Sequence, residues 1–282
     1  MSTSARFGTP AVQKKVFMPD ALPTEKVFGI EVVGEPDEGK THVAATFPKA
    51  LFLDTEHKAN IVLEKFKDKG HFWKKVDVWE EIREGVDWAL TQPSIKTIVI
   101  DSGADIQELA VSHWSKGHGG KKPIVMIGEG VSTILYAQVY ELIDTLVTDV
   151  LDSGRYLVVT CRLKDEYVSN TNTGRRIRQG YKKFPWSLTL GVRFVDGIYD
   201  PRTGKSYFKH FRFGEVIKNN YWGIDVKKGV TCMKPYIFDI SFEGFNEEMV
   251  KPWHGVNGVP LKNRWDMILQ EAGDYLKAMG LE

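Results

Sequence analysis

The chain has 282 residues, 42% of them hydrophobic, enough to bury a large core in one or two domains. Its formal net charge of +1 excludes a binder or a mimic of polyanions by bulk charge alone. Cys161 and Cys232 show neither metal-ligand spacing nor a disulfide framework, and no apolar run approaches the roughly 18 residues that span a bilayer.

These features fit a reducing, cytosolic compartment and no membrane partner. The N-terminus also lacks the apolar h-region of a secretory signal. Residues 1–25 contain Pro10, Pro19 and Pro23 and little periodicity, and are read as an arm. Val27 to Val33 is a short apolar run, read as a strand.

Gly34-Glu35-Pro36-Asp37-Glu38-Gly39-Lys40-Thr41 follows and reads G-x-x-x-x-G-K-T, the phosphate-binding P-loop. The two glycines let the backbone turn tightly and bring its N–H groups against phosphate oxygens. Lys40 supplies a point charge for the β- and γ-phosphates, and the Thr41 hydroxyl can ligate Mg²⁺. A helix must start at this point to aim its first N–H groups at the anion, and Lys40 to Phe47 provides about two turns before Pro48. His42 completes the predicted nucleotide-binding stretch.

Ala50 to Asp54 reads as a buried strand ending in acid, followed by Thr55-Glu56-His57. Asn60 to Lys69 has helical spacing, Val76 to Trp79 is a candidate strand, and Glu80 to Leu90 is an amphipathic helix. Lys96 to Ser102 is a β-branched run, as expected of a parallel strand buried on both faces. Its Asp101 lies beyond enough chain for the intervening βα units. An acid at the end of a strand beside the P-loop strand is placed to hold Mg²⁺; taken alone, Asp101 reads equally well as a helix N-cap. Helices are expected over Ala104 to Trp114 and over Val131 to Leu151, and Tyr156 to Cys161 is another buried strand. Strands alternating with helices predict an α/β fold with a mostly parallel sheet flanked by helices.

Three segments together resemble the nucleotide-site motifs of RecA-like ATPases: Gly34 to Thr41, Phe52 to His57, and Ile98 to Ser102. More narrowly, they resemble the short phage-encoded ATP-binding proteins of the single-strand-annealing type, over about half the chain. The resemblance implies a catalytic Glu56 that polarises the attacking water, acting with Lys40. The alternative for Glu56 is a solvated loop carboxylate. It also implies ATP and Mg²⁺ as cofactors, and a homo-oligomeric ring or filament in the cytoplasm of a bacterial host. Single-stranded DNA is the implied partner, with a single-stranded-DNA-binding protein as a further one. The chain departs from the family at His42, where a small hydroxyl residue is usual. It departs again after Tyr156 to Cys161, where a polar sensor is usual. Ser102, Thr160 and Arg162 are the sensor candidates here, and Arg162 reads equally well as a plain surface residue.

The character of the chain changes beyond Arg162. Asn170 to Gly174 and Asp200 to Lys205 are turn signals, with strand-like Phe194 to Tyr199 and Ser206 to Phe213 flanking the second. Between residues 162 and 218 there are thirteen Lys and Arg against five Asp and Glu, a local charge of +8 that leaves −7 on the rest. Arg175, Arg176, Arg178, Lys182 and Lys183 are interleaved with Tyr181 and Trp186. Cations tracking phosphates with aromatic rings between them suit single-stranded DNA, whereas the plainer reading is a solvated hairpin with its aromatics in the core. Tyr221 to Glu243 is read as strands, and Asn263 to Leu281 as a closing amphipathic helix.

The expected organisation is an arm over 1–25, a RecA-like P-loop NTPase core over 26–165, and a basic β-rich extension with a C-terminal helix over 166–282. The expected function is an ATPase acting on single-stranded DNA in recombination, annealing or repair. Two alternatives stand beside it: a P-loop nucleotide kinase or DNA-packaging motor, and a non-catalytic ATP-gated module.

Overall fold

A computed structural model describes residues 27–127, 130–132 and 135–281. The arm expected over 1–25, and Ile134 of the helix expected from Val131, lie outside the described residues. In chain order, β1 (Gly29–Gly34) leads to α1 (Lys40–Thr46), β2 (Ala50–Asp54), α2 (Ala59–Leu63) and a 3₁₀ turn over Glu64–Lys69. Next come β3 (Phe72–Lys75), α3 (Trp79–Leu90), β4 (Thr97–Asp101) and α4 (Ile106–Gly117). A small ribbon, β5 (Val125–Ile127) and β6 (Gly130–Ser132), precedes α5 (Tyr136–Asp152). Then follow β7 (Tyr156–Val168), β8 (Thr171–Gln179), the single turn α6 (Phe184–Ser187), β9 (Leu190–Asp200) and β10 (Lys205–Asn219). The short β11 (Ile224–Asp225), β12 (Val230–Thr231), β13 (Tyr236–Ile237), α7 (Phe242–Phe245) and β14 (Val259–Pro260) lead to α8 (Arg264–Ala278).

Among the described residues the main sheet has nine strands, in the order β13-β10-β9-β1-β7-β4-β2-β3, with β8 paired to β7. Six consecutive strands, β9 through β3, are parallel. Strands β10, β13 and β8 are antiparallel to their neighbours. The α/β class and mostly parallel sheet expected of a P-loop NTPase core are therefore present.

The inner parallel strands β1, β2, β4 and the first half of β7 are buried on both faces, so their residues alternate between two cores. Val33, Leu51, Leu53, Ile98, Ile100, Leu157 and Val159 pack under α3, α4 and α5. Ile30, Val32, Phe52, Val99, Val158 and Val192 pack on the opposite face, against α1 and the segment containing Phe245 and Met249. A third cluster joins β9 and β10 to α8 through Ile198, Phe213, Ile268 and Ala272.

Several sequence expectations shift. The strand expected at Val76 to Trp79 is instead Phe72–Lys75, and Trp79 opens α3. All four residues of that edge strand are exposed, so they lack the apolar run that marks a buried one. Strand β4 is not beside the P-loop strand: β7 runs between β1 and β4, paired in parallel to both. Strand β7 does not end at Cys161. It leaves the sheet near Arg162 and continues as a ribbon with β8, with Leu163 opposite Arg178 and Val168 opposite Thr171. The boundary expected at 165 falls inside this strand, and β9, drawn from the expected extension, lies parallel to β1. The strands expected over Tyr221 to Glu243 are only two-residue pieces.

Candidate nucleotide site

Strand β1 delivers the P-loop. A Cβ on Gly34 would stand 2.6 Å from Glu38 Oε2, so the Glu38 carboxylate would have to move off the Glu35 N–H that it accepts, and 3.4 Å from the Phe194 Cβ, in ordinary contact. Gly39 has φ of 91°, a left-handed conformation that glycine adopts without steric cost. Lys40 follows at the start of α1 and is 8% exposed. Its ammonium donates to the carbonyls of Gly34 at 3.1 Å and Glu35 at 2.5 Å. Burial pushes the Lys40 ammonium below its ordinary pKa, and the charges of Glu56, Asp101 and Glu38 act the other way.

Asp101, at the end of β4, reaches the same place. Thr41 Oγ1 donates to Asp101 Oδ2 at 2.8 Å, and Thr160 Oγ1, on β7, donates to Asp101 Oδ1 at 2.5 Å. Burial pushes the Asp101 carboxyl above its usual range, against the effect of these two hydroxyls. A hydroxyl and a carboxylate in contact are hard oxygen donors of the kind that hold Mg²⁺. Such sites take one or two protein ligands and complete the shell with phosphate oxygens and water, so the pair Thr41 and Asp101 fits that ion.

Glu56 lies on the loop after β2. Asp54, fully buried, shapes this loop by accepting N–H bonds from Glu56 at 3.1 Å, His57 at 2.7 Å and Ala59 at 2.8 Å. It also accepts from Trp73 Nε1 at 3.0 Å. Arg162 faces Glu56 across the pocket, with Nε 3.5 Å from Glu56 Oε1, and its Nη2 donates to Asp105 Oδ1 at 2.5 Å. Asp105 also accepts from Thr55 Oγ1 at 2.9 Å, and Thr55 Oγ1 accepts the Ser102 N–H at 2.8 Å.

These groups surround an open pocket of about 490 Å³. It is lined by Pro36 to His42, Glu56, Lys58, Ile61, Val62, Asp101 and Arg162. Of the sensor candidates, Arg162 lines it, Thr160 touches it through Asp101, and Ser102 is buried beside it in the Thr55–Asp105 network. His42 lines it with its ring edge-on to Phe66, and burial pushes its pKa down. A second cleft of about 550 Å³, between α3, α4 and α5, presents Trp79, Glu80, Arg83 and His113. It has no backbone loop or acid–hydroxyl pair of this kind, so the P-loop pocket is the candidate nucleotide site. Sequence reasoning passed over Asp54 and Asp105 as organising acids. An Asp two residues before the candidate base is a signal available in the sequence for the first.

The basic segment is not a free cationic surface. Tyr181 is fully buried, and its hydroxyl donates to Asp144 Oδ1 at 2.9 Å, so it cannot stack on a base. That expectation is corrected: its ring completes the core beneath α5. Arg178 Nε lies 2.9 Å from Oε1 of buried Glu31 on β1. Lys183 pairs with Asp144 at 2.8 Å. Arg176 holds Glu35 through Nε at 2.7 Å and Nη2 at 2.5 Å, and Asp165 through Nη1 at 2.7 Å. Arg175 is exposed and makes no ion pair with the described residues, Lys182 lies 5.1 Å from the Tyr140 ring centroid, and Trp186 is 83% exposed.

A family model described as an AAA domain matches residues 29–185, more than half of the chain. No curated protein matches the chain. No helix among the described residues is long and apolar enough to cross a membrane.

Proposed function

The chain belongs to the AAA-domain family of P-loop ATPases, and on that premise we propose that it hydrolyses Mg·ATP and acts on single-stranded DNA, in the manner of the RecA-like annealing proteins. The observation that carries the ATPase reading is the convergence of Lys40, Thr41, Asp101 and Glu56 on one pocket from three separate strand ends. Lys40 neutralises the β- and γ-phosphates, exchanging the carbonyls of Gly34 and Glu35 for phosphate oxygens. Thr41 and Asp101 would hold Mg²⁺, which would supply charge stabilisation for the phosphate oxygens. Glu56 orients a water and accepts its proton, on a loop whose backbone Asp54 fixes. Arg162, between Glu56 and Asp105, is the candidate sensor.

The DNA reading rests on what the ion pairs leave over. Arg175, Lys182 and Trp186 remain exposed on or just after a two-stranded ribbon that leaves the sheet beside the P-loop strand. A kinase reading is less well supported, because Arg176 and Arg178, which could imitate a substrate lid, are both committed to glutamates of the core. A homo-oligomer, ring or filament, is part of the proposal.

The test is phosphate release from ATP with and without single-stranded DNA, in the parent and in Glu56→Gln. The parent should turn over faster with DNA. The variant should keep its ATP affinity and lose about 10²-fold or more in rate. Parent-like turnover in the variant would reduce Glu56 to a loop carboxylate, and turnover indifferent to DNA would remove the nucleic-acid reading.

A further inference from the structure

The P-loop carries three carboxylates, Glu35, Asp37 and Glu38, in a segment that has to receive a polyanion. Two of them are gripped from outside by strands that follow the P-loop by more than a hundred residues. Arg176 on β8 makes a two-pronged contact with Glu35, at 2.7 Å and 2.5 Å. Arg212 on β10 places Nη2 3.4 Å from Glu38 Oε1 and donates from Nη1 to the Glu38 carbonyl at 3.3 Å. The two glutamates are also tied together, since the Glu35 N–H donates to Glu38 Oε2 at 2.6 Å. Hydrogen bonds to Glu35 and Asp165 raise the Arg176 guanidinium above its ordinary range, and an arginine is charged at any working pH even without that shift.

We infer that Arg176 and Arg212 are positioning residues of the phosphate loop, which hold its glutamates in one geometry and offset their charge so that the loop can accept the nucleotide's phosphates. The bidentate Arg176–Glu35 contact fixes geometry as well as charge, and Arg212 reaches both the carboxylate and the carbonyl of Glu38; a lysine in either place would offer only a point charge. Without Arg176, the Glu35 carboxylate is uncompensated and free to swing toward the phosphates. The inference rests on the nucleotide reading of the loop and is independent of the DNA reading of the ribbon.

The experiment measures ATP affinity without DNA, by displacement of a fluorescent ATP analogue, for the parent, Arg176→Gln, Glu35→Gln, the double variant and Lys40→Ala. Thermal melting is followed in parallel. Arg176→Gln should bind ATP about three- to tenfold more weakly, between the effects of an exposed ion pair and of a bidentate charge-assisted one. The double variant, which removes the stranded carboxylate as well, should recover to within about twofold of the parent. A residue that only stabilises the fold would lower the melting temperature without this recovery in affinity. Parent-like binding by Arg176→Gln, or a double variant no better than Arg176→Gln, overturns the inference. Lys40→Ala separates the two levels. If it binds ATP like the parent, the nucleotide reading fails and the clamp with it. If it loses ATP while Arg176→Gln does not, the clamp alone fails.

Discussion

Arg178→Ala should destabilise the protein by about 3 kcal/mol at pH 7.5, the lower part of the range for stranding one partner of a buried ion pair. Glu31 is 2% exposed and lies on the P-loop strand, with Arg178 Nε 2.9 Å from its Oε1. The loss falls at the lower end because the Cys161 thiol still donates to Glu31 at 3.1 Å and the Lys218 charge still acts on it. For a chain of this size, that corresponds to a fall of about 6–12 °C in melting temperature. The effect should depend on pH. Burial already raises the Glu31 carboxyl above its ordinary value, and the Arg178 charge is the largest opposing influence. Removing Arg178 raises it further. The native state then holds a proton that the unfolded state releases, so stability falls as pH climbs from the unfolded value through the folded one. Below that window Glu31 is neutral in both states and the penalty shrinks. Urea unfolding at pH 5 and pH 7.5 reads both effects, and Arg178→Ala combined with Glu31→Leu should recover most of the loss. A penalty below about 1 kcal/mol at pH 7.5, or one equal at the two pH values, would refute the reasoning.

Trp186→Ala should cost about 1–3 kcal/mol of single-stranded DNA affinity with little change in the salt slope. Its melting temperature should stay put, because the ring is 83% exposed; a large drop in stability would mean that the side chain is packed. Changing Arg175 and Lys182 together to Ala should flatten the log–log salt dependence of DNA binding by about 0.7 for each phosphate no longer neutralised. An unchanged slope would put the DNA elsewhere. Tyr181→Phe, which removes the hydroxyl bonded to Asp144, should cost about 1 kcal/mol in chemical denaturation and leave DNA affinity alone. Weakened DNA binding in that variant would contradict its place in the core.

The parts of this protein that are legible in its sequence are those fixed by local pattern. The P-loop can be read letter by letter because each letter has a separate duty. Ala50 to Asp54 and Thr97 to Asp101 announce themselves because a parallel strand covered on both faces needs an unbroken apolar run. The amphipathic faces of α3 and α8 follow from the 3.6-residue period. What local pattern does not carry is spatial order. Nothing near Asp101 in the chain shows that β7 separates its strand from β1, and the Thr160 hydroxyl meets it only through that placement. The outer half of β7 escapes a sequence reading for a related reason: once the strand leaves the sheet it has no core face, and its residues no longer alternate in a readable way.

The charge asymmetry is real, but a charge count sees only one partner of each pair. Glu31, Glu35, Glu38 and Asp144 lie far from the basic segment in sequence, and the structure sets them against Arg178, Arg176, Arg212 and Lys183. Much of the local excess is thus the complement of an acidic core surface, including the P-loop's own glutamates. The same pairings undo the division of the chain at residue 165. Strand β9 is one of the two neighbours of β1, and Phe194 on it closes over Gly34. The matched domain ends at residue 185, before that strand begins. The phosphate loop is therefore held on one side by residues of the matched domain and on the other by chain beyond it, so a fragment cut at either boundary would lose part of what shapes its nucleotide site.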